Sequence, residues 1–317
     1  MRIRRGLWAM AAAVILAGGI GLTGCFSGQR DIVINLNNLS NDYPRAVYTG
    51  IDSKSSLARP LRVAAAPVIS PQEGYKAYTD LVQYLSSYLQ HPVEFITRQT
   101  YAEVNLLMNS GDIDVAFVCT YAYVRGQRDF GMELVAAPEV NGRAEYASYI
   151  IVSRTSPVNN FAGLKGKRFA FTDPMSLSGR LVPLYLVQEL GEIPESFFSS
   201  YIFTYSHDKS IRAVADGIVD GAAVDSLVYE AFAREHPDIT NKIKVIQKSR
   251  PFASPPVVMR PTLDPSLKKE IRSAFLSLHK TPAGAQIVSR LGVDRFINIG
   301  DEAYNSVREI ARRVGYL

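Results

Sequence analysis

The chain has 317 residues, with 35 lysines and arginines against 30 aspartates and glutamates, a formal net charge of +5. No Lys/Arg cluster interleaved with aromatic residues accompanies that charge, which argues against a nucleic-acid partner. Two cysteines and the scattered His91, His207, His236 and His279 give neither a disulfide framework nor zinc spacing, so no metal and no other cofactor is expected.

Arg2, Arg4 and Arg5 precede an apolar run from Leu7 to Leu22, the layout of a secretory signal. The run ends in Leu22-Thr23-Gly24-Cys25, which resembles a bacterial lipobox. Residues 1–24 therefore read as a lipoprotein signal peptide and Cys25 as a lipidated residue that holds the protein to a membrane. An uncleaved anchor is the alternative, but the run is short and glycine-rich for a span of about 20 apolar residues. Beyond residue 24 the chain keeps 32 basic and 30 acidic residues, a formal +2, so the basicity belongs largely to the signal.

Residues 25–59 are rich in Asn, Ser, Asp and Gly and read as a tether, with a possible short strand at Ile32-Leu36. Alternating strands and helices begin at Leu61. Leu61-Ala65 is a strand, 75–89 a helix with apolar residues three or four apart, Val93-Ile96 a strand and 101–109 a helix. "GDIDVAFV" leads into a buried strand that carries Cys119, a buried thiol. Near Ala147-Val152 a second unit of the same rhythm starts. "GLKGKRFAFTDP" supplies a strand, 181–190 a helix, "YIFTYSH" a strand, Ile211-Ala215 a helix, and "GIVDGAAVDS" repeats the turn–strand–acid pattern of "GDIDVAFV". Helices at about 265–279, 283–291 and 301–314 would return to the first unit. The expected architecture is α/β and two-lobed, each lobe a mostly parallel sheet flanked by helices. Lobe I takes 60–150 and 255–317, lobe II takes 151–254, and two chain crossings form a hinge.

Ligands of open α/β sheets bind beyond the carboxyl ends of the strands. Those ends offer Ser70, Gln72, Glu73 and Tyr75, then Thr120, Tyr121 and Tyr123, in lobe I. In lobe II they offer Ser176, Ser178 and Gly179, then Ser206, His207 and Asp208, then Asp225, Ser226 and Tyr229. Hydroxyls and helix-start N–H groups suit a tetrahedral oxyanion, and His207 would add a charge-assisted bond. Asp225, acceptor-only when ionised, suits a P–O–H or an ammonium group. Each has a plainer reading. Ser176 and Ser178 are good N-caps, Ser206 would cap a helix starting at His207, and Asp225 would cap "SLVYEAFARE". Tyr121 and Tyr123, two apart on an extended stretch, would share one face, as a core pair or as a binding wall. Ser178, His207 and Asp225 are also the residue types of a hydrolase triad, but "MSLSG" is not Gly-x-Ser-x-Gly.

"TDPMSLSGRLVP" resembles the Asp-Pro-x-Ser-x-Ser-Gly segment of the periplasmic phosphate/phosphite/phosphonate-binding proteins of ABC importers. "SPQEGYKAYTDLVQYL", "TYAEVNLLMNSGDIDVAFVCTYAYV", "YSHDKSIRAVADGIVDGAAVDSLVYE" and "KSRPFASPPVVM" are similar to further blocks of that family, in order, over about residues 60–295. The resemblance implies the type II periplasmic-binding fold, closure of two lobes on a small oxyanion, no catalysis, and permease and ATPase partners. It also implies that Ser176, Ser178, Gly179, the helix-start amides and His207 hold phosphoryl oxygens. Tyr75 or Tyr78, Tyr121 or Tyr123, and Asp225 would then read the rest of the ligand. The chain departs from the pattern at two places. Leu177 stands where the family often has a donating threonine, and Cys119-Thr120 where it commonly has Gly-Pro. A sensory lipoprotein of the same fold is the alternative function, and a serine hydrolase a more distant one.

Overall fold

The computed structural model describes residues 46–48, 59–68 and 71–317, with the backbone alone for 46–48 and 71–77. The signal peptide, Cys25, the Ile32-Leu36 strand, Ser70 and the side chain of Tyr75 lie outside the described residues.

In lobe I, β1 (Ala46–Tyr48) and β2 (Leu61–Ala65) are followed by α1 (Pro71–Leu89), β3 (Val93–Thr97), α2 (Tyr101–Ser110), β4 (Val115–Phe117), α3 (Thr120–Phe130) and β5 (Glu133–Glu139). The chain crosses through β6 (Glu145–Tyr146) into lobe II. There it forms β7 (Ser148–Ser153), β8 (Arg168–Phe171), α4 (Val182–Glu189), a single-turn α5 (Pro194–Phe197) and β9 (Ser200–Phe203). Next come α6 (His207–Ala215), β10 (Gly221–Asp225), α7 (Ser226–Glu235), a short α8 (Pro237–Thr240) and β11 (Ile243–Lys248). It returns through β12 (Phe252–Ala253) to β13 (Val257–Met259), α9 (Pro265–Ser277), α10 (Pro282–Arg290), β14 (Arg295–Ile297) and α11 (Asn305–Arg313).

Seven strands in the order β1-β3-β2-β4-β13-β5-β14 make the first sheet, and five in the order β11-β7-β10-β8-β9 make the second. Both are mixed, where mostly parallel sheets were expected. Each has a parallel trio, β3-β2-β4 and β10-β8-β9, extended by antiparallel strands. β1, β7, β13 and β14 run against the sense of their parallel core, whereas β5 and β11, antiparallel to β13 and β7, share it; β7 and β13 are the strands that follow the two crossings. The crossing strands β6 and β12 pair with each other, Phe252 opposite Tyr146 and Ala253 opposite Glu145. The Ser254 N–H donates to the Ala144 carbonyl at 2.9 Å beside them.

Alternation sets the cores. Along β7, Tyr149 and Ile151 join the cluster under α6 and α7, while Ile150 and Val152 face Phe161, Phe169, Phe171, Phe197 and Phe198 on the other side. In lobe I, Leu81, Val82, Leu85 and Leu89 of α1 meet Ile271, Ala274 and Phe275 of α9 over Val63, Val93 and Phe95. Of the three closing helices, α9 and α10 pack on α1, whereas α11 packs on α3 of lobe I and α4 of lobe II. Lobe I is also held by Asp114, fully buried. It accepts two bonds from Arg59 (2.7 and 3.0 Å), one from Arg260 Nε (2.7 Å) and one from the Arg62 amide (2.8 Å), tying the ends of β2, β4 and β13.

Candidate functional site

The parallel strands β8, β9 and β10 all end at the cleft. After β8, Asp173-Pro174 breaks the strand and the chain enters a wide turn of π-helix, Leu177–Leu181, before α4. Such turns recur at functional sites. The turn lies so close to the sheet that a Cβ on Gly179 would sit 2.4 Å from Thr172 Oγ1, so only glycine fits there. Ser176 is the cap: its Oγ accepts the Gly179 N–H at 2.9 Å. Ser178 is not. Its hydroxyl is buried with no partner, while its carbonyl accepts a 2.6 Å bond from Ser148 Oγ.

After β9, Ser206 occupies the N-cap position of α6 but makes no capping bond, and its hydroxyl is likewise buried without a partner. His207 follows, buried, at the first helical position. Its Nδ1 accepts the Asp225 N–H at 3.1 Å and lies 3.1 Å from Thr172 Oγ1, so the ring proton belongs on Nε2. Burial holds its pKa down at about 3, against a smaller upward pull from Asp208. His207 is therefore a neutral N–H donor, whose bond to an anion would be charge-assisted by the anion alone. Asp225 caps α7, its Oδ1 accepting the Leu227 (2.7 Å) and Val228 (3.2 Å) amides, and burial raises its pKa to about 7. The cap reading thus holds for Ser176 and Asp225 and fails for Ser178 and Ser206.

Lobe I meets this edge through bonds across the cleft. The His207 backbone N–H donates to the Val68 carbonyl at 3.0 Å, and the Leu177 backbone N–H to Cys119 Sγ at 3.4 Å. The Tyr101 N–H donates to Asp173 Oδ2 at 3.2 Å. Cys119 is a buried free thiol whose pKa burial raises. Thr120 Oγ1 and Tyr146 Oη lie 2.8 Å apart beside it. The Tyr101 hydroxyl is buried with no partner; burial, then the nearby Cys119, Asp173, Asp225 and Asp208, push its pKa well up.

Ser176, Leu177, Ser178, Gly179, His207, Asp225 and Thr120 thus gather at one cleft. Tyr78, Tyr121 and Tyr123 do not behave as read. Residues 120–130 are helical from the first residue after Cys119, so Tyr121 and Tyr123 point apart rather than to one side. Tyr121 Oη donates to the Tyr316 carbonyl (3.1 Å) and Tyr123 Oη to Asp301 (2.6 Å), both toward the C-terminal segment. Tyr78 stacks on Phe95 with ring centroids 5.2 Å apart in the lobe I core, where burial lifts its pKa to about 12. Arg180 is held by the Pro174 carbonyl and Tyr316 Oη and lies over the rings of Phe203 and Tyr316. Tyr101 and Tyr146 were missed. The signal available for Tyr101 was Thr100-x-x-Glu103, a capping box that starts a helix just beyond the end of β3.

The buried neutral imidazole has a measurable consequence. The unfolded chain takes up His207's proton near its ordinary pKa of 6.5, the folded protein only near 3, so this residue's contribution to stability falls as pH drops below 6.5. At pH 5 the loss is about 2 kcal/mol. Asp225, with its raised pKa, works in the opposite sense between about pH 4 and 7. Urea unfolding at pH 7 and pH 5 is expected to show a smaller acid loss, or a gain, in His207→Asn relative to wild type.

Two lobes joined by paired crossing strands enclose buried hydroxyls and a neutral donor between them, the arrangement of a binding protein for a small polar ligand. Residues 63–304 match the family described as "ABC transporter, phosphonate, periplasmic substrate-binding protein", and the chain belongs to that family. It is 28% identical over 239 residues to the phosphonates-binding periplasmic protein of Escherichia coli K12, covering 74% of this chain and 70% of the relative. It is 24% identical over 266 residues to a probable ABC transporter phosphite-binding protein of Prochlorococcus marinus MIT 9301, covering 80% and 89%. A solved structure of a Prochlorococcus marinus protein in complex with methylphosphonate shares the fold, with a TM-score of 0.75 at 23% identity over 81% of this chain and 98% of that one.

Proposed function

We propose that the protein captures a phosphate, phosphite, phosphonate or related small oxyanion between its lobes. It then hands the anion to the permease and ATPase of an importer, while a lipid on Cys25 holds it to the membrane. The observation that carries this reading is the set of buried, unpartnered hydroxyls on Ser178, Ser206 and Tyr101 around the start of α6 and the turn before α4. Buried polar groups are nearly always hydrogen-bonded. Three hydroxyls and a neutral N–H donor suit a tetrahedral anion, and relatives named for phosphonates and phosphite narrow it to phosphorus. Binding without turnover fits as well. His207 Nδ1 accepts a backbone N–H where a catalytic triad would donate to a carboxylate.

A thermal-shift panel of phosphate, phosphite, methylphosphonate, aminoethylphosphonate and sulfate tests the ligand. At 100 times Kd a ligand adds about 2.7 kcal/mol, so at least one phosphorus anion is expected to raise Tm clearly above sulfate. A flat panel would refute the reading. For the anchor, Cys25→Ser is expected to release the protein from membranes or leave its precursor uncleaved. Mass spectrometry finding an unmodified Cys25 in membrane-bound wild type would exclude a lipid there.

A further inference from the structure

Asp173 sits on the anion turn in lobe II, yet one of its oxygens serves a helix of lobe I. Oδ1 accepts the Met175 N–H at 2.7 Å and shapes the turn; Oδ2 accepts the N–H of Tyr101, the first residue of α2, at 3.2 Å. The helix has its own cap apart from this bond. Thr100 and Glu103 already form a complete capping box, the Glu103 N–H donating to Thr100 Oγ1 at 3.2 Å and the Thr100 N–H to Glu103 Oε2 at 3.3 Å. The box leaves the amides of Tyr101 and Ala102, and that of Tyr101 is spent across the cleft. The same residue carries the buried, unpartnered hydroxyl.

We propose that Asp173 is the closure latch: by holding the start of α2 from the anion turn, it couples the shape of that turn to closure of lobe I and to the placing of Tyr101 over the site. The latch rests on the geometry, and its coupling to a bound anion rests on the function proposed above. Asp173 is a positioning residue, because a carboxylate has no N–H or, when ionised, O–H to offer an anion. That fixes the sign of the test. On charge alone, removing an acid beside an anion site tightens binding; a latch gives the opposite.

The experiment measures release of phosphite and methylphosphonate, and hydrogen exchange over residues 98–104, in wild type, Asp173→Ala, Asp173→Asn and Thr100→Ala. Asparagine keeps the size of the side chain but turns an N–H group toward one of the two amides, so it breaks one bond if the alanine variant folds poorly. Release is expected on the order of tenfold faster in the Asp173 variants, with faster exchange at the start of α2 even without anion. Thr100→Ala, which removes the helix's own cap, is expected to speed exchange and leave release unchanged. Tighter or unchanged binding in both Asp173 variants, or unchanged exchange over 98–104, overturns the latch. If wild type binds none of the anions, the function reading fails by itself, and the ligand-free exchange still decides whether Asp173 clasps α2.

Discussion

Replacing Ser178 with alanine is expected to weaken anion binding tenfold to a hundredfold while leaving the fold as stable as wild type or more so. A hydrogen bond to a charged group contributes about 1.5–3 kcal/mol, and burying a hydroxyl without a partner costs about 1–3 kcal/mol. Ser178 Oγ has no partner within the protein, so alanine removes a cost from the ligand-free state and a bond from the bound one. Ser176→Ala should behave in the reverse way. Its Oγ is committed to the Gly179 N–H, so the variant should lose about 0.5–2 kcal/mol of stability and less affinity than Ser178→Ala. Two serines two residues apart thus divide between scaffold and site, and paired urea melts and titrations of the two variants check the division.

The second large effect lies far from ligand. Asp114→Ala removes a fully buried carboxylate that accepts from Arg59, Arg260 and the Arg62 amide. Breaking a buried ion cluster by deleting one partner costs about 3–5 kcal/mol, because the remaining charges are left uncompensated. Arg59 is 31% exposed and Arg260 14%, so water offsets part of the cost, and about 3 kcal/mol is expected from urea unfolding. Since Asp114 lies at the opposite end of β4 from Cys119, the folded fraction should bind anion with wild-type affinity. A melt unchanged from wild type would show that the cluster contributes nothing net.

What the chain discloses locally and what it does not follows from these same residues. The strand–turn–helix of 169–190 was readable because its signals are adjacent in sequence: an apolar strand, Asp173-Pro174, small hydroxylated residues, then Gly191 past the helix. Asp225 before an apolar helix is equally local, and it caps as such a residue should. The tyrosines were not readable, because their roles depend on neighbours far away in the chain. Tyr123 meets Asp301 and Tyr121 meets the Tyr316 carbonyl across 178 and 195 residues. The three-residue β4 gives way to helix at Thr120, before both tyrosines that an extended reading would place on one face. Tyr101 and Tyr146 look like ordinary core aromatics until the lobes are brought together. The split between Ser176 and Ser178 was also closed to sequence, since either could cap and only the path of the turn decides. His207 was placed correctly at the strand end, but its charge depends on burial by both lobes, which no local pattern reports.

The most direct test is calorimetric titration of phosphite and methylphosphonate into wild type and Ser178→Ala at neutral pH. The expected result is one site per chain in wild type, with affinity at least tenfold weaker in Ser178→Ala at undiminished stability. Wild-type affinity in the alanine variant, or no heat from either anion or from phosphate in wild type, would contradict capture of a phosphorus oxyanion by the turn before α4.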